Sequence, residues 1–235
     1  MEGNRSPWVD DEVAALKDMA SKFFETVAIP QRERWEKEQR VDREFWLTAG
    51  RQGLLCAAMP EAYGGGGGTL AHDFAIFEAQ AGAGESGFGN QVHSGLVAHY
   101  LLSYGTEEQK QRWLPRMATG EMIGAIAMTE PGGGSDLKAL RTTAIRHGDH
   151  YLINGSKTFI SNGANADLII LVVKTAPVEG ARGVSLLVLE THDAEGFTVG
   201  RVLNKVGMKA QDTAELFFDD VCVPVSNILG AEGMG

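Results

Sequence analysis

An α+β architecture is predicted here: an all-helical first half followed by a β-barrel. The prediction rests on a change of hydrophobic period near residue 122. Before it, apolar residues recur at three- and four-residue spacing, the mark of one buried helical face. After it, short apolar runs are separated by turn dipeptides, as in a barrel or sandwich. With 235 residues, 43% hydrophobic and 22% charged, the chain suffices for one or two domains with cores of their own. The division expected is residues 1–122 helical and 123–235 barrel.

In the helical half, Val13, Leu16, Ala20, Phe23, Phe24 and Val27 fall on one stripe. Pro30 ends that helix or starts the next element. Asp42 is placed to cap a helix carrying Phe45, Trp46 and Ala49, with Gly53 as its stop. Residues 70–82 and 91–104 read as two further helices, the second stopped at Gly105. Thr106-Glu107-Glu108-Gln109 is a capping box for a helix through Met117. The run Gly64 to Gly68 lacks the Gly-Lys-Ser/Thr ending that brings charge to a phosphate. It reads as a flexible connector rather than a ligand loop.

In the second half, strands are expected over 122–128, 142–147, 151–153, 157–161, 168–173, 184–189, 198–203 and 216–218. Gly148-Asp149, Asn154-Gly155, Asn162-Gly163, Gly180 and Gly196 supply the turns between them. No βαβ alternation and no internal repeat is present, which disfavours a doubly wound nucleotide-binding fold.

Composition narrows the function. The formal charge is −10, from 31 acids and 21 bases, so nucleic acid is not an expected partner. Cys56 and Cys222 are far apart in sequence and form neither a disulfide framework nor a zinc pattern; both read as reduced thiols in a reducing compartment. No stretch approaches the roughly 20 apolar residues of a membrane span. The start, Met1-Glu2-Gly3-Asn4-Arg5-Ser6-Pro7, is neither a signal nor a transit peptide, and a cytoplasmic location is the simplest expectation. The histidines lack metal-ligand spacing, so no metal is expected. His93, on an apolar helix, reads as a satisfied structural residue.

Two runs carry the chemistry. Ile126-Ala127-Met128-Thr129-Glu130-Pro131-Gly132-Gly133-Gly134-Ser135-Asp136 leaves an apolar strand and enters a turn with three successive glycines, flanked by the hydroxyls of Thr129 and Ser135. Glycines let a backbone approach a flat or phosphorylated ligand, and hydroxyls can bond its edge. Phe159-Ile160-Ser161 then places an aromatic face and a hydroxyl two apart, on one side of a strand. A planar cofactor such as a flavin requires this combination. Each residue also has a plain structural reading. Met128 suits a core, Thr129 can bond its own backbone, Ser135 can cap the segment from Asp136, and Phe159 can point inward from a half-buried strand. Glu130 and Asp136 read as acids that shape the turn rather than as an acid/base pair.

The run from Ala127 to Asp136 resembles the first signature of the acyl-CoA dehydrogenases. Gly207-Met208-Lys209-Ala210-Gln211-Asp212-Thr213-Ala214-Glu215-Leu216-Phe217-Phe218-Asp219-Asp220-Val221 is similar to the segment closing that family's middle domain. These runs, His93-Ser94-Gly95 and Gly124 to Thr129 are most similar to the long-chain branch. The resemblance extends from about Val13 to the last residue. It implies FAD as cofactor. Its pyrimidine edge would meet Thr129 and the backbone of Ile126, Ala127, Met128 and Thr129, while Gly134 and Ser135 lie beside flavin and acyl-CoA. Phe159, Ile160 and Ser161 would cover its face and approach N5. Donors at that edge would stabilise the negative charge left by hydride arriving at N5. Gly183 and Val184, with Ser135, would border the substrate; Arg182 is placed to add charge there or is a solvated loop cation. Phe159 and Ser161 depart from the tryptophan and threonine of other branches, keeping an aromatic face and a hydroxyl.

The implied reaction is α,β-dehydrogenation of medium to long acyl-CoA thioesters, with electrons passing to electron-transferring flavoprotein and a dimer of dimers as assembly. The resemblance also implies a third, helical domain bearing the catalytic glutamate. The chain stops at Gly235, where that domain's first helix is expected. It therefore reads as a piece of a longer protein, inactive alone, and no catalytic residue is assigned in it. An acyl-CoA oxidase or related flavin oxidase would share these motifs, and so would a non-catalytic flavin- or acyl-CoA-binding subunit completed by a partner chain.

Overall fold

The computed structural model describes residues 6–136 and 139–235. Helices precede strands as the periodicity predicts. The helical layer comprises α1 (Asp11–Phe23), α2 (Arg32–Glu38), α3 (Arg43–Arg51), α4 (Leu70–Gly82), α5 (Asn90–Val92), α6 (His99–Tyr104) and α7 (Glu107–Ala118). A π-type turn, Phe24–Ala28, extends α1, and another, His93–Ala98, joins α5 to α6 in one helical run. The first widens the helix enough to rotate its last turn. Ala28 is fully buried in place of Val27, which the predicted stripe had put in the core and which is exposed.

The Thr106 capping box forms as read: the Gln109 N–H donates to Thr106 Oγ1 at 3.2 Å, and the Thr106 N–H to Gln109 Oε1 at 2.9 Å. Asp42 opens α3 but does not cap it through its side chain. Its carboxylate takes the Trp35 indole N–H at 2.8 Å and pairs with Arg34, so a cross-element contact outcompetes the local one. Gly64 to Gly68 does connect elements, but it is tied down rather than flexible. The Gly66, Gly67 and Gly68 amides donate to the carbonyls of Cys56, Met59 and Ala57 at 3.3, 2.8 and 3.0 Å.

The strands are β1 (Gly124–Ala127), β2 (Thr143–His147), β3 (His150–Ser161), β4 (Leu168–Lys174), β5 (Val184–Glu190), β6 (Phe197–Val202), β7 (Thr213–Pro224) and β8 (Ile228–Leu229). They form one sheet of order β6-β7-β3-β2-β4-β5-β8, with β1 added in parallel on β4. The sheet curls around a core drawn from β3, β4, β5 and β7, as the barrel reading requires, while its ladder runs open from β6 to β8. The expected Asn154-Gly155 turn is a bulge instead, so two predicted strands are one, β3. Asn154 is held by Asp220 across the pair, Asn154 Nδ2 donating to Asp220 Oδ1 at 2.7 Å and the Asp220 N–H to Asn154 Oδ1 at 3.0 Å. Strand β7 is much longer than 216–218, and β8 was not foreseen.

Strand β4 explains how the two layers become one body. Its unbroken run Leu168-Ile169-Ile170-Leu171-Val172-Val173 is buried throughout. Leu168, Ile170 and Val172 pack with Val97, Leu101, Trp113 and Met117 of the helices. Ile169, Leu171 and Val173 point into the curled sheet. A strand covered on both faces needs no polar alternation. No helix among the described residues is long and apolar enough to cross a membrane. Both cysteines are free thiols, Cys56 buried and Cys222 exposed on β7.

His93 clips the layers together. Its Nδ1 accepts from the Gly124 N–H at 3.0 Å, and its Nε2 faces the Met117 carbonyl at 3.1 Å. Accepting at Nδ1 leaves the proton on Nε2, so the ring is neutral and fully used. Burial pushes its pKa down to about 4. The unfolded chain takes up a proton near 6.5 that the folded one refuses. Stability from this group is therefore complete above about pH 6.5 and drains away as pH falls toward about 4. Between pH 7 and 4.5 it should cost about 2 kcal/mol. Urea unfolding at both pH values should show that loss in the wild type and a smaller one in His93→Asn; equal losses would contradict it.

Candidate functional site

The two runs singled out in the sequence lie side by side. The Thr158 N–H donates to the Thr129 carbonyl at 2.9 Å, joining the end of β3 to the chain leaving β1. Beyond Thr129, Glu130 and Gly133 exchange backbone hydrogen bonds at 3.1 Å each way, closing the glycine turn. Gly134 and Ser135 follow on the surface; Leu137 and Lys138, in the segment Ser135 was read as capping, lie outside the described residues. A Cβ at Gly134 would meet no described residue within 4 Å, which leaves room for a ligand to approach the backbone.

Strand β1 pairs with β4 alone, which leaves its other edge without a strand partner among the described residues. The Ala127 and Ile160 side chains are both in the sheet's core, so these two can reach a ligand only through their backbone. Ile126 and Met128 are reachable. With Tyr100, Tyr104, Val172 and Val184 they line a cavity of about 600 Å3. Gly183, beside Val184, carries a steric requirement of its own, since a Cβ there would run into the Ala176 carbonyl.

Phe159 is re-aimed. Between Lys157 and Ile160 the register of β3 against β7 shifts, and Phe159 adopts φ 60°, in the left-handed region. The ring is 65% exposed, so the inward reading fails. Bulges of this kind turn a side chain out of the pleat. Ser161 is half-buried and lines a second cavity, of about 490 Å3, with Gln80, Glu85, Gly89 and Gln211. Burial pushes the Glu85 carboxyl up, although the Gly87 and Phe88 amides and the Gln80 amide donate to it. The buried Gln80 Oε1 and Asn162 Oδ1 have no hydrogen-bond partner among the described residues. Asn162 Nδ2 donates to the Gly89 and Gly124 carbonyls at 3.0 and 3.1 Å, which fixes the turn after Ser161.

Thr129 lies on the run leaving β1, Ser135 is exposed beyond the glycine turn, and Ser161 lines the second cavity. Among the described residues none of them hydrogen-bonds another residue. Elsewhere hydroxyls are engaged, Ser94 with Asn90 and Thr175 with Ser185, for example. Spare hydroxyls, an exposed aromatic ring on a bulge and an open glycine backbone together fit a planar ligand with polar edges.

The sequence reading missed what holds this arrangement. Lys157, 1% exposed, donates to the carbonyls of Met128 and Val172 at 3.1 and 2.6 Å and to Glu130 Oε1 at 2.8 Å. Glu130 also accepts from the Arg141 and Thr142 amides at 2.7 and 3.0 Å, so it shapes the turn as read. Burial opposes both charges, pulling the lysine down. Burial would likewise raise Glu130, but Lys157 and the two amides hold it below the usual carboxylate range. Three acceptors around one nitrogen match the three protons of an ammonium, so the pair is ionised. The available signal was parity: Lys157 is in phase with the core residues Tyr151 and Ile153.

The family model of the acyl-CoA dehydrogenase N-terminal domain matches residues 10–121, and that of the middle domain matches 125–221. The long-chain specific acyl-CoA dehydrogenase, mitochondrial, of Rattus norvegicus is 47% identical over 222 residues, 94% of this chain and 51% of that protein. The crystal structure of an acyl-CoA dehydrogenase from Geobacillus kaustophilus superposes with a TM-score of 0.95 at 48% identity, over 98% of this chain and 61% of that one. An acyl-CoA dehydrogenase from Bacillus anthracis, complexed with FAD, superposes with a TM-score of 0.87 at 32% identity, over 97% of this chain and 39% of that one. The chain thus spans about half the length of the curated relative it matches. With both family models aligned in order across most of its length, this chain belongs to the acyl-CoA dehydrogenase family.

Proposed function

We propose that the protein binds FAD and takes part in the α,β-dehydrogenation of acyl-CoA thioesters of medium to long chain. The observation that carries this reading is that three hydroxyls, Thr129, Ser135 and Ser161, hydrogen-bond no other described residue and stand on the same two runs as the exposed Phe159 ring and the Gly134 backbone. FAD would supply a two-electron acceptor. Phe159 offers a face to its ring. Thr129 and the backbone from Ile126 to Thr129 offer polar groups to its edge, and Ser161 and the Ile160 backbone approach from β3. Rigid donors placed before reaction stabilise developing charge at little reorganisation cost. Ser135, Gly183 and Val184 border the substrate, and the apolar cavity of about 600 Å3 suits an apolar chain.

No side chain in this region is assigned as the base that removes the α proton. We further propose electron-transferring flavoprotein as electron acceptor, a dimer of dimers as assembly and a division into domains at 1–122 and 123–235. These readings rest on the family.

An absorbance spectrum of the protein, expressed from its complete reading frame, tests the function. A flavin band that bleaches when octanoyl- or palmitoyl-CoA is added under argon is the expected result. A colourless preparation that refuses FAD would contradict it. Thr129→Val, which removes a hydroxyl at similar volume, should weaken FAD binding by about 1–3 kcal/mol in a titration. An unchanged dissociation constant would remove the Thr129 hydroxyl from the site. Ser161→Ala should lower flavin content or slow flavin reduction in stopped flow, and no change in either would remove Ser161 from the site.

A further inference from the structure

We propose that Lys157 is a positioning residue that locks the two flavin-facing runs into one arrangement. The inference rests on the flavin reading above and goes beyond it, because Lys157 itself is buried. Its ammonium spends one proton on the Met128 carbonyl, at the mouth of the first run, and one on the Glu130 carboxylate, inside the glycine turn. The last goes to the Val172 carbonyl of β4. Glu130 in turn grips the Arg141 and Thr142 amides, on the far side of that turn. The residue after Lys157 donates its amide to Thr129, and the one after that is Phe159.

One side chain, together with the Thr158 amide, thus holds residues 128–130 against the strand that runs on to residues 159–161. The bulge makes the lock necessary. A strand with φ 60° at Phe159 has left the regular ladder there, so β7 alone does not fix the register of that ring. A neutral residue at 157 would leave two carbonyls and a carboxylate buried without their donor, and they would move to find water.

The test uses the protein from its complete reading frame, as wild type, Lys157→Met and Lys157→Met/Glu130→Gln. FAD affinity, the visible flavin spectrum and thermal melting of the apoprotein are measured for each. Lys157→Met should melt lower, since it strands Glu130. The double variant should regain much of that stability and still bind FAD at least about tenfold more weakly, with a shifted flavin band. A double variant that binds FAD with wild-type affinity and spectrum would overturn the positioning role and leave the flavin reading intact. Wild type that takes up no flavin would overturn both. Should the double variant not fold, nitrogen NMR of wild-type apoprotein gives a second readout. The Lys157 ammonium should exchange slowly and shift on FAD addition, and rapid exchange with no shift would overturn the proposal.

Discussion

A lysine ammonium sealed inside a β-sheet is the constraint around which this structure is arranged. Moving such a charge out of water costs several kcal/mol even after relaxation, and the cost is met only if every proton finds an acceptor. Lys157 finds three, on three separate segments: the exit of β1, the glycine turn and the middle of β4. These segments cannot drift apart without stranding a buried charge. The interaction thus works less as a source of net stability than as a fixed register between pieces of chain. Those pieces carry the spare hydroxyls, the exposed ring and the open glycine backbone.

The same logic recurs one layer down. His93 ties the π-type turn to β1, bridging the Met117 carbonyl and the Gly124 amide. Asn162 reaches the Gly89 and Gly124 carbonyls. Gly124, the first residue of β1, is therefore gripped at its amide and its carbonyl by two side chains from different layers. Strand β4 supplies the apolar counterpart, with one face in the helical core and the other in the sheet's. The strand that leads into the site is thus rigid at its start, and the site opens where the regular pairing ends.

Much of this was legible. Periodicity gave most helices, though not α2, and most strands because burial on one face leaves a direct trace in sequence. The strand at 168–173 was read as one among several, and only the structure shows that β4 is covered on both faces. What escaped depends on distant partners. Asn154-Gly155 is a strong local turn signal, but Asp220, far along the chain, converts it into a bulge. Asp42 has the right chemistry to cap, but Arg34 and Trp35 claim it. The π-type turns have no propensity signature, so Val27 and Ala28 exchanged places. For the site, spacing left both a planar ligand and plain structural roles open at Thr129, Ser135, Phe159 and Ser161, and the family resemblance is what favoured FAD. Lys157 went unseen because a lone lysine in a strand normally marks the solvent face, and its carboxylate lies 27 residues earlier.

The central claim is that residues 126–135 and 159–161 act as one preformed edge for a flavin. Amide hydrogen exchange, followed by mass spectrometry with and without FAD on the protein from its complete reading frame, tests this most directly. Peptides covering both runs should gain protection together, at the same FAD concentration. Protection confined to other segments, such as residues 64–68, or gained by one run without the other, would contradict it.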